Sequence, residues 1–492
     1  MSLTLAWKNR LKQFLIAEAR ISSAPSKANA LKMKLEVNFD LDSIWRSISG
    51  AVHSNPWIFI FLALLFAAHM IQIPFPPRDT IFDETYYIPA SQMTLQGIGT
   101  NAEQMPLPKI IGAIGIALLG NNWFAYRFPQ VVMQIIALYL FYLLARRFLG
   151  DPWALGATML LGFDTVFFIH GGALLLDMPL FLFGFLAFEL YFRKHYWASA
   201  VAMGLTLFSR EVGILYFLTI AIYHFATNLN KQVLKRALVI GVRYTLIALL
   251  VCMCLLWVYD AGFHPATGTT YTTIWTTVYV WGGNGTAAHV VSTYLSTSVS
   301  SSNQYISNPV QHISWLLNYH TSFQMGNVTY HPYRYAYNWI SPIDLNGNHS
   351  LIMFNTSFYY RLDVFVTYGG TTTDYTPIWY NEQGNLALWY GIWPAVAFLV
   401  YALITKPQNR QTAVFILSGI LVNYLPWVIW SLSGRLFEFS YYMIWSLPFI
   451  AMGLAFAWKQ LPEKYGKDVL ALNVFLAFLF FLWFFPIKPP FP

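Results

Sequence analysis

Eleven largely apolar stretches run along the chain, beginning near Trp57, Phe128, Trp153, Met178, Tyr196, Gly213, Ala237, Leu386, Thr412, Tyr441 and Val469. A helix needs roughly 20 mostly apolar residues to cross a bilayer, and several of these stretches are short or interrupted. The pattern predicts an all-α polytopic membrane protein with about eleven transmembrane helices. Two polar-rich connections stand out, residues 74–127 and residues 259–386. Within the first, the run "IIGAIGIALLG" is too short to span and is expected along the surface. Within the second, "GTTYTTIWTTVYVW" reads as strand and "PVQHISWLLNYHTSF" as helix. So many aromatics over about 130 residues argue for a folded cap, a mixed α/β extracytoplasmic loop region, rather than a linker.

Composition agrees with lipid as the main solvent. The chain is 57% hydrophobic and only 10% charged, against about 25% charged in soluble domains. The net charge of +8 is read as cytoplasmic loops facing anionic headgroups, with no nucleic-acid partner. The first 50 residues carry eight Lys and Arg, too long a lead for a signal peptide, so a retained first span with a cytoplasmic amino end is expected. In that lead, "WKNRLKQFLIAEAR" is compatible with a membrane-surface helix and equally with a solvated tail.

Basic residues then follow every second span: Arg146 and Arg147, Arg193 and Lys194, Lys231 with Lys235 and Arg236, Lys406 and Arg410, Lys459 with Lys464 and Lys467. This alternation places the two large connections outside the cytoplasm. The four N-x-S/T sequons, at Asn284, Asn327, Asn348 and Asn355, all fall in the second of them. The expected organisation is a cytoplasmic segment 1–55, a transmembrane domain 56–258 carrying an outer loop 74–127, an extracytoplasmic region 259–386 and carboxyl-terminal transmembrane helices 387–492, in a plasma or endoplasmic-reticulum membrane. Cys252 and Cys254 lie on different faces of a helix and are not expected to pair. No closely spaced ligand cluster implies a structural metal.

The acids of "RDTIFDETYY" sit where the first span should surface. Taken alone, Asp83 and Glu84 are as well explained by a helix amino end that favours negative charge. Other outer turns also deliver charges: Arg127 before the second span, Asp177 between the third and fourth, Arg210 and Glu211 between the fifth and sixth, Arg435 and Glu438 between the ninth and tenth. Each alone could merely set helix depth. Together, in a charge-poor chain, they suit chemistry at a lipid phosphate. Arginine grips phosphate with a planar fork of donors, and a carboxylate can take a proton from an attacking hydroxyl. No nucleotide-binding motif is present. His170, His320, His331 and Trp339 are weaker candidates, since such residues more often pack than react.

The segments "FDETYY", "MPLPK", "GNNWFAYRFP", "LLLDMPL", "GLTLFSREVG" and "GRLFEFSYYMIWSLPF" occur in an order that resembles the protein O-mannosyltransferases and the bacterial enzymes that put aminoarabinose on lipid A. Both are membrane glycosyltransferases of the GT-C type. "LNYHTSF" and "NWISPI" are similar to a Tyr-His pair and a Trp-Pro segment in the outer loop of the mannosyltransferases. The resemblance spans about residues 56 to 460. It implies transfer of a sugar, mannose, from a dolichyl or other polyprenyl phosphate to an extracytoplasmic acceptor, protein Ser/Thr, with inversion. It implies Asp83 as catalytic base with Glu84 beside it, Arg210, Arg435 and Arg127 for donor phosphate, and Lys109, Asp177, His320 and Trp339 as acceptor or support residues. No cofactor is demanded, although a divalent metal would be compatible with two nearby acids and a phosphate. Gln104, Met105 and Pro106 depart from the mannosyltransferases' His-Pro-Pro, and Ser440, Tyr441 and Tyr442 from their late His-Tyr-His-like segment. These departures leave open a transferase acting on a lipid or lipid-linked glycan, and a membrane transporter is the non-enzymatic alternative.

Overall fold

The computed structural model describes residues 55–75, 80–228, 231–267, 270–281, 287–298, 304–322, 334–345, 356–368, 371–437 and 439–487. The basic amino-terminal lead, the four sequons, His331, Glu438 and the last five residues lie outside them. From Trp57 onward the chain forms one unit.

Helix α1 (Pro56–Gln72) leads into the first large connection, which holds two short helices, α2 (Glu84–Leu95) and α3 (Leu107–Leu119). With 13 residues, α3 is about 20 Å long and too short to cross a hydrocarbon core of about 30 Å. It packs instead against α2 and against α4 (Trp123–Leu149). Gly112 and Gly115 permit that approach, because a Cβ at either would collide with Ser91 or with the Ala125 carbonyl. Helix α4 starts where the Asn122 side chain accepts from Ala125 N at 3.0 Å, a cap that contributes about 1 kcal/mol. It ends with Arg146 and Arg147 in its last turn, where cations suit the helix dipole, and with Gly150 at φ +70°.

The third apolar stretch is broken. Helices α5 (Trp153–Gly162) and α6 (Thr165–Gly172) meet at a 66° bend. Asp164 causes it: its carboxylate caps α6 through Phe167 N at 3.0 Å and accepts from Asn385 N and Trp389 Nε1 at 3.2 and 2.9 Å. A buried acid is thus fully used in joining two distant segments. A short turn, Ala173–Leu176, closed by Leu175 N donating to the Ala173 carbonyl at 2.8 Å, leads to α7 (Asp177–Phe192), then α8 (Tyr196–Ser209), α9 (Gly213–Thr227) and the 33-residue α10 (Lys231–Phe263). Cys252 is buried and Cys254 exposed on α10.

The second large connection contains an antiparallel hairpin of β1 (Thr270–Trp281) and β2 (Ala287–Ser298), helix α11 (Pro309–Ser322), a 3-10 turn at Ala336–Ile340, and a second antiparallel hairpin of β3 (Thr356–Tyr368) and β4 (Thr371–Gln383). The chain closes with α12 (Leu386–Trp389), α13 (Ile392–Thr405), α14 (Arg410–Leu432), a 3-10 turn Ser440–Trp445, α15 (Leu447–Lys459) and α16 (Glu463–Trp483). Between α7, α9 and α14 lies an aromatic core in which Phe188 stacks on Tyr216 at 5.2 Å and meets Phe415 edge-on at 5.5 Å.

The expected eleven spans exceed what helix length supports. Among the described residues five helices are long and apolar enough to cross a membrane, or six if α5 and α6 are one bent span. The other predicted spans coincide with helices of 13 to 17 residues. The cause is local: charged turns such as Ser209-Arg210-Glu211 and the Asp177 helix start cut the apolar runs short.

Candidate active site

Asp83 and Glu84 are neighbours in sequence with opposite surroundings. Glu84 is fully buried. Its carboxylate accepts from Arg127 Nε at 2.9 Å and Nη2 at 2.7 Å, from Ile81 N at 2.8 Å and from Leu174 N at 2.9 Å. Arg127 is equally buried and also donates through Nη1 to the Ile73 and Phe75 carbonyls at 3.0 and 2.9 Å. This fork ties the end of α1, the start of α2, the start of α4 and the Ala173–Leu176 segment together. The expectation that Arg127 grips donor phosphate does not match this arrangement, because its donors face protein acceptors in a dry interior. Glu84 is likewise held as an anchor rather than presented to a ligand.

Asp83 occupies the position before α2 without using its side chain to cap that helix. Phe82, just before it, has φ +52°, a conformation that costs a bulky residue about 1–3 kcal/mol. Its ring is held edge-on by Phe439 at 5.0 Å and Tyr441 at 5.5 Å. The consequence is that Asp83 turns toward a narrow cleft lined by Phe82, Asp83, Tyr87, His170, Leu175, Leu176, Asp177, Arg210 and Tyr441. Burial, and after it the charge of Asp83, hold the Tyr87 phenol well above its ordinary range, so it remains a neutral hydroxyl.

Four elements meet at Asp177, the first residue of α7. Its Oδ1 accepts from Arg210 Nη1 at 2.6 Å and from Trp445 Nε1 at 2.8 Å; its Oδ2 is 2.7 Å from His170 Nδ1. Arg210 follows the last residue of α8 and is 5% exposed. Its guanidinium lies over the Trp445 ring at 4.8 Å and near Tyr441 at 6.0 Å. Asp177 and Arg210 thus form a buried salt bridge. Arg210 Nε also stands 3.7 Å from Glu211 Oε1, an ion pair too long for a hydrogen bond, so the guanidinium keeps donors that are not hydrogen-bonded.

The remaining predicted residues surround this cleft without lining it. Arg435 is half-buried and donates through Nη2 to the His320 carbonyl at 2.8 Å, while its guanidinium sits over Trp430 at 4.7 Å. It braces α11 instead of joining Arg210. His320 reaches across to the Glu103 carbonyl at 3.1 Å. The buried Lys109 ammonium donates to the carbonyls of Thr100, Asn101 and Gln104, which clasps the 100–104 loop over α3. Trp339 is fully buried against Tyr424, Phe437 and Tyr442. All four are supports. Among the described residues no three His, Cys, Asp or Glu side chains are grouped to hold a metal.

The sequence does not single out Tyr87 or Trp445, and it marks His170 only as a weaker candidate. The signal for His170 was faint: it stands seven positions before Asp177, and the two meet across the short turn between α6 and α7.

Residues 103–257, from the 100–104 loop into α10, match the family model for dolichyl-phosphate-mannose-protein mannosyltransferases. The fold is similar to that of the S. cerevisiae protein O-mannosyltransferase Pmt1–Pmt2 complex bound to the sugar donor, with a TM-score of 0.60 and 11% identity over 87% of this chain and 90% of that one. It is also similar to ArnT from Cupriavidus metallidurans bound to undecaprenyl phosphate, with a TM-score of 0.51 and 14% identity over 85% of this chain and 63% of that one. The chain has the GT-C glycosyltransferase fold. No curated protein sequence matches it. The start of α2 and the turns that carry Asp177 and Arg210 meet at the cleft.

Proposed function

We propose that this GT-C protein transfers a sugar from a polyprenyl phosphate to an acceptor hydroxyl, with mannose and a protein Ser/Thr side chain as the favoured donor sugar and acceptor. The observation that carries the reading is the cleft shared by Asp83 and Arg210. A base and a phosphate-binding cation must lie on either side of the anomeric carbon for a single displacement. Asp83 takes the proton of the acceptor hydroxyl as its oxygen bonds to that carbon. The bond from the carbon to the phosphate oxygen breaks, and Arg210 stabilises the charge that collects on the leaving phosphate. One displacement inverts the anomeric configuration. Asp177 holds Arg210 and His170 in place, Tyr441 walls the cleft, and the Glu84–Arg127 fork fixes Asp83 relative to them.

A positioned base typically contributes a factor of about 10²–10⁴, and a donor to developing negative charge about 10²–10³. The similarity to a mannosyltransferase family model over residues 103–257 favours mannose and a protein acceptor. The test incubates purified protein with dolichyl-phosphate mannose and a Ser/Thr-rich peptide and analyses products by mass spectrometry. A peptide product with the α configuration from a β-linked donor supports the reading; transfer only to a lipid or lipid-linked glycan places the acceptor elsewhere; no transfer from any polyprenyl-phosphate sugar overturns it.

A further inference from the structure

Arg127 and Arg210 are both buried guanidinia, and they differ at one edge. In each, Nη1 is spent: Arg127 on the Ile73 and Phe75 carbonyls, Arg210 on Asp177 Oδ1. The side edge formed by Nε and Nη2 can take an oxyanion through two parallel bonds. At Arg127 that edge is filled by Glu84, at 2.9 and 2.7 Å. At Arg210 the carboxylate beside Nε is Glu211, and it stops 3.7 Å away. Among the described residues neither Arg210 Nε nor Glu211 Oε2 has a hydrogen-bond partner, although both atoms are buried.

Glu211 belongs to the turn between α8 and α9. Gly213 N donates there to the Arg210 carbonyl at 2.9 Å, and a Cβ on Gly213 would stand 2.7 Å from the Thr206 carbonyl. The backbone is therefore tight, and only the Glu211 side chain is able to give way. An acid ahead of a helix commonly serves the positive amino end. Here the first amides of α9 go to backbone carbonyls instead, Ile214 N to Glu211 O at 3.3 Å and Leu215 N to Val212 O at 2.9 Å. The Glu211 charge does reach the cleft lining: burial first, then Asp83 and after it Glu211, push the Tyr87 phenol up.

We propose that Glu211 tunes the phosphate edge of Arg210 for turnover: it yields to the donor phosphate and repels the more highly charged polyprenyl phosphate left after transfer, so that the spent carrier departs. This role depends on the transferase reading, in which Arg210 holds the donor phosphate. A sugar phosphodiester carries one negative charge. Once its bond to the anomeric carbon breaks, the phosphate monoester carries about 1.5 to 2 at neutral pH. A fixed carboxylate at the same edge therefore opposes the product more than the donor. Glu211 touches neither reacting atom and acts through Arg210.

The test uses the purified full chain and measures KM for dolichyl-phosphate mannose, the inhibition constant of dolichyl phosphate, and direct binding of dolichyl phosphate. Glu211→Gln should lower the inhibition constant by on the order of tenfold and KM by only about threefold, so the ratio of the two falls and product inhibition sets in earlier. Glu211→Ala should move the ratio the same way, while Glu211→Asp, which keeps the charge, holds it near the wild-type value. Monodisperse elution of each variant excludes misfolding as the cause. A merely structural acid would shift the thermal midpoint and leave the ratio alone. An unchanged ratio, or weaker binding of dolichyl phosphate by Glu211→Gln, overturns the proposal and leaves the transferase reading standing. Wild-type protein that neither binds dolichyl phosphate nor transfers sugar from its mannosyl ester overturns both.

Discussion

Asp177 and Arg210 stand 33 positions apart in sequence, yet Arg210 Nη1 donates to Asp177 Oδ1 at 2.6 Å inside the protein. The pair joins the start of α7 to the end of α8. Its worth is directional more than stabilising, because the charge-charge attraction of a buried pair is offset by desolvation. The pair fixes Arg210 at the wall of the cleft. Asp177→Asn keeps the shape and removes the charge. We expect kcat to fall about ten- to a hundredfold, the value of a charge-assisted hydrogen bond, with KM for the donor rising as well. Unchanged kinetics in steady-state assays of a folded Asp177→Asn protein would show that Arg210 needs no such partner.

The adjacent acids should separate cleanly. Asp83→Asn is expected to abolish transfer while the thermal midpoint in detergent changes little. Glu84→Gln should do the reverse first: it leaves Arg127 charged and buried without a countercharge, a loss of about 3–5 kcal/mol, so the midpoint falls and yield drops. Measuring midpoint and turnover for both variants decides the assignment, and full activity in Asp83→Asn removes that residue as base.

Arg210 and Arg435 make different contacts and should respond differently. Arg210→Ala is expected to lower kcat by about 10²–10³. Arg435→Ala loses a bond to the His320 carbonyl and a stack on Trp430, and should cost less than tenfold, mostly through looser packing of α11. Equal losses in the same assay would put both guanidinia on phosphate.

Burial draws the Lys109 ammonium down to about 7, against the raising influence of Glu103 and Asp260. Its ordinary value is 10.5. Between these limits the unfolded chain binds the proton that the folded chain has released, so the contribution of this group to stability increases with pH across that window and is least favourable below it. Lys109→Met should abolish that slope while lowering stability throughout, because three carbonyls lose their donor. Unfolding midpoints of both proteins from pH 6.5 to 10.5 check the sign; parallel profiles would mean that Lys109 keeps its proton throughout.

Much of this was legible before any coordinates. Apolar runs bounded by basic turns mark helices whose opposite ends carry acids and arginines, since each charge left in hydrocarbon is costly. The shortness of "IIGAIGIALLG" was enough to make α3 a helix of only 13 residues, too short to span. The acid pair, Asp177 and Arg210 were visible as exceptions in a charge-poor chain. Asp164 was not, because a single acid inside an apolar run carries no local sign that Asn385 and Trp389, more than 200 positions away, will meet it.

Hydrophobic periodicity and residue chemistry thus determined that the chain is helical, lipid-facing and charged at its turns, for these follow from local transfer free energies. Which acid faces a cleft, which arginine is consumed by a buried fork, and that Trp445 and His170 converge on Asp177 were decided by tertiary packing. Those contacts depend on helix rotation and on the reversed backbone at Phe82, and neither is encoded in the spacing of apolar and polar positions.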